Sequence, residues 1–125
     1  MKYDISALGN ALVDTQYMVD HDFLDEIGLE ADSMTLASAE EHSPIIDKLQ
    51  SMGVESVSDC GGSATNSLVA ASYYGSKCHH VCRVANDEDG KKYLESLQKA
   101  GVQHIGYSKE DSEMPTGKCL IFVTP

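Results

Sequence analysis

Basic residues are scarce in this chain: nine Lys and Arg stand against twenty Asp and Glu, for a net charge of −11. Such a field opposes phosphate backbones and anionic headgroups, which excludes gripping nucleic acid or an acidic membrane surface by bulk electrostatics. A neutral small molecule, such as a sugar or nucleoside, meets no such opposition. Long apolar runs are also missing, and nothing approaches the ~20 residues that a membrane-spanning helix requires. The start, MKYDISALGN, lacks the extended apolar stretch of a signal peptide and reads as a strand. Only three prolines occur, with no internal repeat, low-complexity tract or Pro/Gly/Ser linker. With 42% hydrophobic and 23% charged residues, the composition rules out a disordered chain, a collagen-like repeat and a disulfide miniprotein. Cys60, Cys78, Cys82 and Cys119 are widely spread, so free thiols in a reducing, cytoplasmic compartment are expected. Dinucleotide and P-loop fingerprints are absent as well: no Gly-x-Gly-x-x-Gly follows the first strand, and no Gly-Lys-Ser/Thr occurs.

What is present is an alternation of strand and helix signals over 125 residues, a length suited to a single core. Tyr3 to Leu8 is β-prone and ends at Gly9-Asn10; Thr15 to Val19 and Ser33 to Ala37 are short strand candidates. Asp20 to Ile27 reads as a helix stopped by Gly28. Ser38-Ala39-Glu40-Glu41 is a capping box that opens a helix bearing Ile45, Ile46, Leu49 and Met52 on one stripe, with Gly53 as its stop. Pro44 is expected in or near the first turns, where its cost is lowest. Strands follow at Val54 to Ser58, Lys77 to Val84, Val102 to Tyr107 and Lys118 to Thr124. Helices follow after Gly61-Gly62-Ser63, ending at Gly75, and after Asp87, ending at Gly101. This pattern predicts α/β architecture with a largely parallel sheet. The chain stops at Cys119 to Pro125, its most apolar run, and we expect a cut there rather than a natural end.

Two segments carry the chemistry. Gly9-Asn10-Ala11-Leu12-Val13-Asp14 lies where the first strand ends, and ligands of open parallel sheets bind at carboxyl ends of strands. A carboxamide and a carboxylate there can donate to and accept from vicinal hydroxyls; a plain turn with Asp14 solvated is the alternative. In Gly61-Gly62-Ser63-Ala64-Thr65-Asn66-Ser67 the glycines permit close backbone approach, and the first helical N–H groups point at whatever sits there. The alternative is a tight turn with Ser63 as an ordinary N-cap. Cys78, His80 and Cys82 share one face of a strand and raise the idea of zinc, but adjacent side chains on one strand do not close a tetrahedron easily. Buried thiols in a core strand account for them better, and no metal site is expected. His21, His42 and His104 read as surface residues. Tyr17, Val19 and Phe122 could line a slot for a base, or simply pack.

The series GNALVD, CGGSATNS, RVANDEDG and PTGKCLIFV resembles, in order and spacing, the N-terminal part of the PfkB (ribokinase-like) carbohydrate kinases, and most of all their adenosine-kinase-like branch. Two positions depart from the family pattern: Leu68 stands where a small residue is found two positions after the asparagine, and Ala85 where glycine is favoured. The resemblance implies a ribokinase-like three-layer fold, a mostly parallel sheet with a small β-rich lid. Residues 1–125 would be the N-terminal portion of one such domain, with lid segments at about 15–37 and 103–125. It implies ATP-dependent phosphoryl transfer, with Mg2+, to a hydroxymethyl group of a sugar or nucleoside. Asp14 would hold sugar hydroxyls, Asn10 would add a neighbouring polar contact, and Gly61, Gly62 and Asn66 would contact the sugar with Ser63 beside them. Ser63 after the glycines leans toward nucleosides, since sugar kinases of the ribokinase type tend to place lysine there. The family's D-T-x-G-A-G-D segment, whose last Asp is the base, and its ATP site have no counterpart in these residues, so no catalytic residue is assigned and the chain alone is expected to be inactive. A non-catalytic binding or oligomerisation half-domain is the alternative, in which the edge strand Lys118 to Thr124 pairs with a second copy.

Overall fold

The computed structural model describes residues 2–106 and 114–125. Strands β1 (Ile5–Leu8) and β2 (Leu12–Met18) precede helices α1 (His21–Ile27) and α2 (Ala39–Ser51). Strand β3 (Ser56–Gly61), helix α3 (Ser63–Tyr73), strand β4 (Cys78–Cys82), helix α4 (Glu88–Lys99) and strands β5 (Gln103–Gly106) and β6 (Gly117–Val123) follow. The strands make two three-stranded sheets, ordered β1-β4-β5 and β3-β2-β6. The first is parallel throughout, as the alternation predicts, with His80 opposite both Ala7 and His104. Tyr107, the expected end of β5, lies outside the described residues, as do 107–113 of the expected lid segment 103–125.

The chain divides into two compact units, Met1–Asp14 with Ser58–Cys119 and Thr15–Val57 with Leu120–Pro125. In the first, the apolar positions of β1 and β4 and of helices α3 and α4 meet: Leu68, Cys78, Cys82, Tyr93, Leu97 and Val102 are buried together. Leu68, which departs from the family pattern, is a core residue here. In the second, Tyr17, Phe23, Leu24 and Leu49 form the core, with Val19 and Phe122 packed against it. The Phe122 ring lies 6.1 Å from Tyr17 and 5.7 Å from Phe23, so these aromatics pack with one another rather than line an open slot.

Local signals are realised where backbone chemistry is self-contained. Asp20 caps α1, its carboxylate accepting from the Phe23 amide at 2.8 Å, and Gly28 ends it at φ 71°. The Ser38–Glu41 capping box forms with both bonds present, and Pro44 sits in the second turn of α2. Four expectations fail. Met52 is the C-cap of α2 and is exposed instead of completing the apolar stripe. Ser33 to Ala37 is not a strand: Asp32 turns at φ 57°, and Met34 and Leu36 are 86% and 89% exposed. Strand propensity there finds no partner strand, and propensity alone does not hold a ladder. His42 and His104 are half-buried rather than surface residues. On His104, burial and then the neighbouring His80 and His79 hold the imidazole below its usual range.

A clamp joins two of the sequence motifs. Asp87, the N-cap of α4, accepts from the Gly90 amide at 2.7 Å. It also accepts from the Thr116 amide at 2.8 Å and from the Thr116 hydroxyl at 2.6 Å, while that hydroxyl oxygen accepts from the Ala85 amide at 2.9 Å. Asp87 of the RVANDEDG segment therefore ties α4 to the Pro-Thr-Gly that opens β6. A Cβ on Gly90 would overlap the Ala85 carbonyl oxygen, which leaves room only for glycine. Burial alone would push the Asp87 carboxyl up, but the Thr116 and Gly90 donors outweigh it and hold the group below the usual carboxylate range. The sign follows: this stability is present above the unfolded carboxylate value of about 3.9 and is lost as pH falls through the lower folded one. Asp87→Ala is expected to lower stability by about 3 kcal/mol, from the lost cap and charge-assisted bonds. Urea unfolding should show it, and the variant should lose less stability than the parent protein between pH 5 and pH 2.

Candidate functional site

The connection β1–β2 is only Gly9 to Ala11, because Leu12 and Val13 already belong to β2 and Val13 is 1% exposed. Asp14 is thereby a half-buried strand residue, not the solvated turn residue of the simpler reading. Strand β3 likewise starts and ends later than expected and carries Asp59, Cys60 and Gly61 beside β2. Neighbouring strands bring the Asp14 carboxylate directly over Gly61, where a Cβ would overlap its carbon and both oxygens. Gly62 follows at φ 100°, ψ 145°, a conformation that L side chains rarely adopt, and a Cβ there would lie 2.6 Å from the Asn10 carbonyl oxygen. A Cβ on Gly9 would stand 2.6 Å from the Cβ of Ala64. The two glycine-bearing connections are therefore in contact, and Asn10, Asp14, Gly61 and Gly62 converge.

Ser63 and Asn66 occupy the first turn of α3, and both are exposed. The expected Ser63 cap is not formed: Gly62 is the N-cap and gives no side-chain bond, so the first amides of α3 have no capping side chain. The Asn66 amide donates to the Gly62 carbonyl at 2.9 Å, closing the first turn and leaving its carboxamide in the exposed side chain.

The electrostatics around Asp14 are unusual for an acidic chain. Burial first, then the Asp59 carboxylate, push the Asp14 carboxyl above its ordinary range. Asp59 is itself held, accepting from the Cys60 amide at 2.8 Å and from the Ser96 hydroxyl. Burial pushes up the Cys60 thiol, and burial with the Asp14 charge does the same for Cys119. The surroundings of Asp14 thus combine the Gly61 backbone with the Asp59 carboxylate, and its own two oxygens are acceptors held over that glycine. Such a pair of acceptors suits two adjacent hydroxyls.

Sequence reading did not link three further residues of this unit. Thr65, His80 and Tyr93 are fully buried, and the Thr65 oxygen lies 3.1 Å from His80 Nε2 and 2.8 Å from the Tyr93 hydroxyl. His80 was legible only as one of three inward residues of β4, and no local spacing links it to positions 65 and 93. Among the described residues, no group of three or more His, Cys, Asp or Glu could hold a metal ion, and all four cysteines are free. A cavity of about 160 Å3 lies along α4, lined by Val13, Ser58, Asp59, Lys92, Glu95, Ser96 and Lys99, and none of the expected site residues lines it. No helix among the described residues is long and apolar enough to cross a membrane.

Residues 33–125 match the family described as pfkB family carbohydrate kinase. Adenosine kinase 1 of Arabidopsis thaliana is 31% identical over 120 residues, covering 93% of this chain and 33% of the relative. A probable sugar kinase from Rhizobium etli superposes with a TM-score of 0.84 at 26% identity, covering 98% of this chain and 36% of the other. An Anopheles gambiae adenosine kinase, solved in complex with a di(adenosine) tetraphosphate, gives a TM-score of 0.79 at 27% identity, covering 96% of this chain and 37% of the other. The fold is therefore that of the ribokinase-like sugar kinases, and the chain spans about a third of the length of these relatives.

Proposed function

The chain belongs to the pfkB family of carbohydrate kinases, and on that premise we propose that it supplies the substrate-binding side of a kinase that phosphorylates a nucleoside, adenosine or a close analogue. The observation that carries this reading is the Asp14 carboxylate lying over the Gly61 backbone beside Asn10 and the uncapped start of α3. Asp14 accepts from two ribose hydroxyls, Asn10 supplies a further polar contact, and Gly61 and Gly62 admit the sugar against their backbone. Asn66, with Ser63 beside it, contacts the sugar from the first turn of α3. The preference for a nucleoside rests on Ser63 after the glycines and on the adenosine kinases among the relatives.

The reaction of the family implies ATP and Mg2+. Among the described residues no group of three or more His, Cys, Asp or Glu could hold the cation, and the sequence has no D-T-x-G-A-G-D segment, so these residues do not fit that pair. No step is derived through either. In this reading residues 1–125 are the N-terminal portion of one ribokinase-like domain, and the lid role falls on segments about 15–37 and 103–125. Four free thiols suit a reducing, cytoplasmic setting. Calorimetric titration of the 125-residue chain with adenosine and with ribose tests the assignment. Saturable binding, tighter for adenosine, is expected, together with no phosphorylated product when ATP and Mg2+ are added. Binding of neither compound overturns the substrate role; turnover by the chain alone overturns its assignment as a half-site.

A further inference from the structure

Buried polar groups in a small core are retained only when each has a partner, and here four of them are linked in series. The Ala7 carbonyl can only accept, so the His80 Nδ1 at 3.3 Å carries the proton and donates to it. Nε2 is then the acceptor for the Thr65 hydroxyl at 3.1 Å, and the Thr65 oxygen accepts from the Tyr93 hydroxyl at 2.8 Å. Burial pushes the Tyr93 phenol up, so it keeps the proton that the series needs. Every member thus has one direction of donation, set from the carbonyl end.

This series borders both glycine-bearing connections. Thr65 is the third residue of α3, and its oxygen lies 3.5 Å from where a Gly62 Cβ would be. The His80 ring carbon Cε1 lies 3.6 Å from where a Gly9 Cβ would be, a position that Ala64 leaves no room to fill. Glycine at 9 and 62 leaves these backbones without side chains to hold them, and the uncapped α3 has no Ser63 bond to fix its start. We propose that Thr65, His80 and Tyr93 are positioning residues that set the start of α3 and the Gly9-Asn10 connection, and so the alignment of Gly61, Gly62 and Asn66 for the sugar. The alignment for a sugar rests on the function proposed above; the mechanical coupling does not.

The test uses the 125-residue chain labelled with 15N. Tyr93→Phe removes one hydroxyl and keeps the ring volume, Thr65→Val leaves His80 Nε2 and the Tyr93 hydroxyl without their shared partner, and Thr65→Ser restores the hydroxyl. Amide resonances of Gly61, Gly62 and Asn66 are expected to shift in Tyr93→Phe and Thr65→Val and to return in Thr65→Ser. Adenosine affinity is expected to fall about tenfold in the first two variants and to recover in the third. Lower thermal stability with those amides and the affinity unmoved would show a merely structural network and overturn the proposal. Should Thr65→Val not fold, Tyr93→Phe decides alone. If the unmodified chain binds no nucleoside, the proposed function fails, and the amide resonances still decide the coupling.

Discussion

Asp14→Ala is expected to weaken adenosine binding about 10- to 150-fold and to leave the fold as stable as before or slightly more so. The loss corresponds to one charge-assisted pair of hydrogen bonds, about 1.5–3 kcal/mol. The second half of the expectation comes from the surroundings. Burial and Asp59 push the Asp14 carboxyl up, so the folded state disfavours its charge relative to the unfolded chain. A group raised in this way contributes stability below its unfolded value of about 3.9, and that contribution is lost as pH rises through the folded value. At pH 7 the charged carboxylate is therefore a cost to folding, and removing it relieves that cost. Binding has the opposite dependence: affinity is expected to decline on acidification at a higher pH than an ordinary carboxylate would dictate. Calorimetry from pH 7 to pH 4, with a parallel thermal melt, checks both signs. Unchanged affinity in Asp14→Ala would remove this residue from the site; a large loss of stability would assign it to the core instead.

The second large effect is expected at Gly62. Alanine there is strained twice over, first because φ 100°, ψ 145° lies outside the regions open to L residues. Second, its Cβ would stand 2.6 Å from the Asn10 carbonyl, a backbone atom that cannot rotate aside. We expect Gly62→Ala to cost about 2–4 kcal/mol, a fall in Tm on the order of 10 °C. The start of α3 should move away from the β1–β2 connection, so nucleoside affinity should fall beyond what the stability loss accounts for. Gly28→Ala provides the comparison. Gly28 also has positive φ, at 71°, but nothing lies within 4 Å of where its Cβ would be. Its cost should be confined to conformational strain, about 1 kcal/mol, with binding untouched. Equal effects of the two substitutions on binding would contradict the packing of Gly62 against Asn10.

Helix starts and stops were legible in the sequence because their chemistry is local. Asp20, Ser38 with Glu41, and Asp87 cap helices with side chains three residues from the amides they accept, and Gly28, Gly53, Gly75 and Gly101 follow helices with positive φ. The order of motifs was also sufficient to identify the family, since GNALVD, GGSATN and the Asp87 motif recur in sequence whatever the packing. Even the inward set Cys78, His80 and Cys82 could be read from the twofold period of a strand.

Tertiary structure alone decided the rest. A strand exists only where a neighbour completes its ladder, so Ser33 to Ala37 stays unpaired while Leu12 to Asp14 is drawn into β2, placing Asp14 over Gly61. Gly62 and not Ser63 is the cap, and the Asn10 carbonyl, fifty-two residues away in sequence, leaves no room there for a Cβ. Asp87 reads in sequence as a helix cap, but its bond to Thr116, twenty-nine residues away, makes it a clamp as well. Thr65, His80 and Tyr93 share no spacing rule, and only burial in one core brings their three polar groups within hydrogen-bonding reach. Side chains near in sequence declare themselves through backbone geometry, whereas partners distant in sequence are chosen by the packing of apolar faces, which one strand or helix cannot specify by itself.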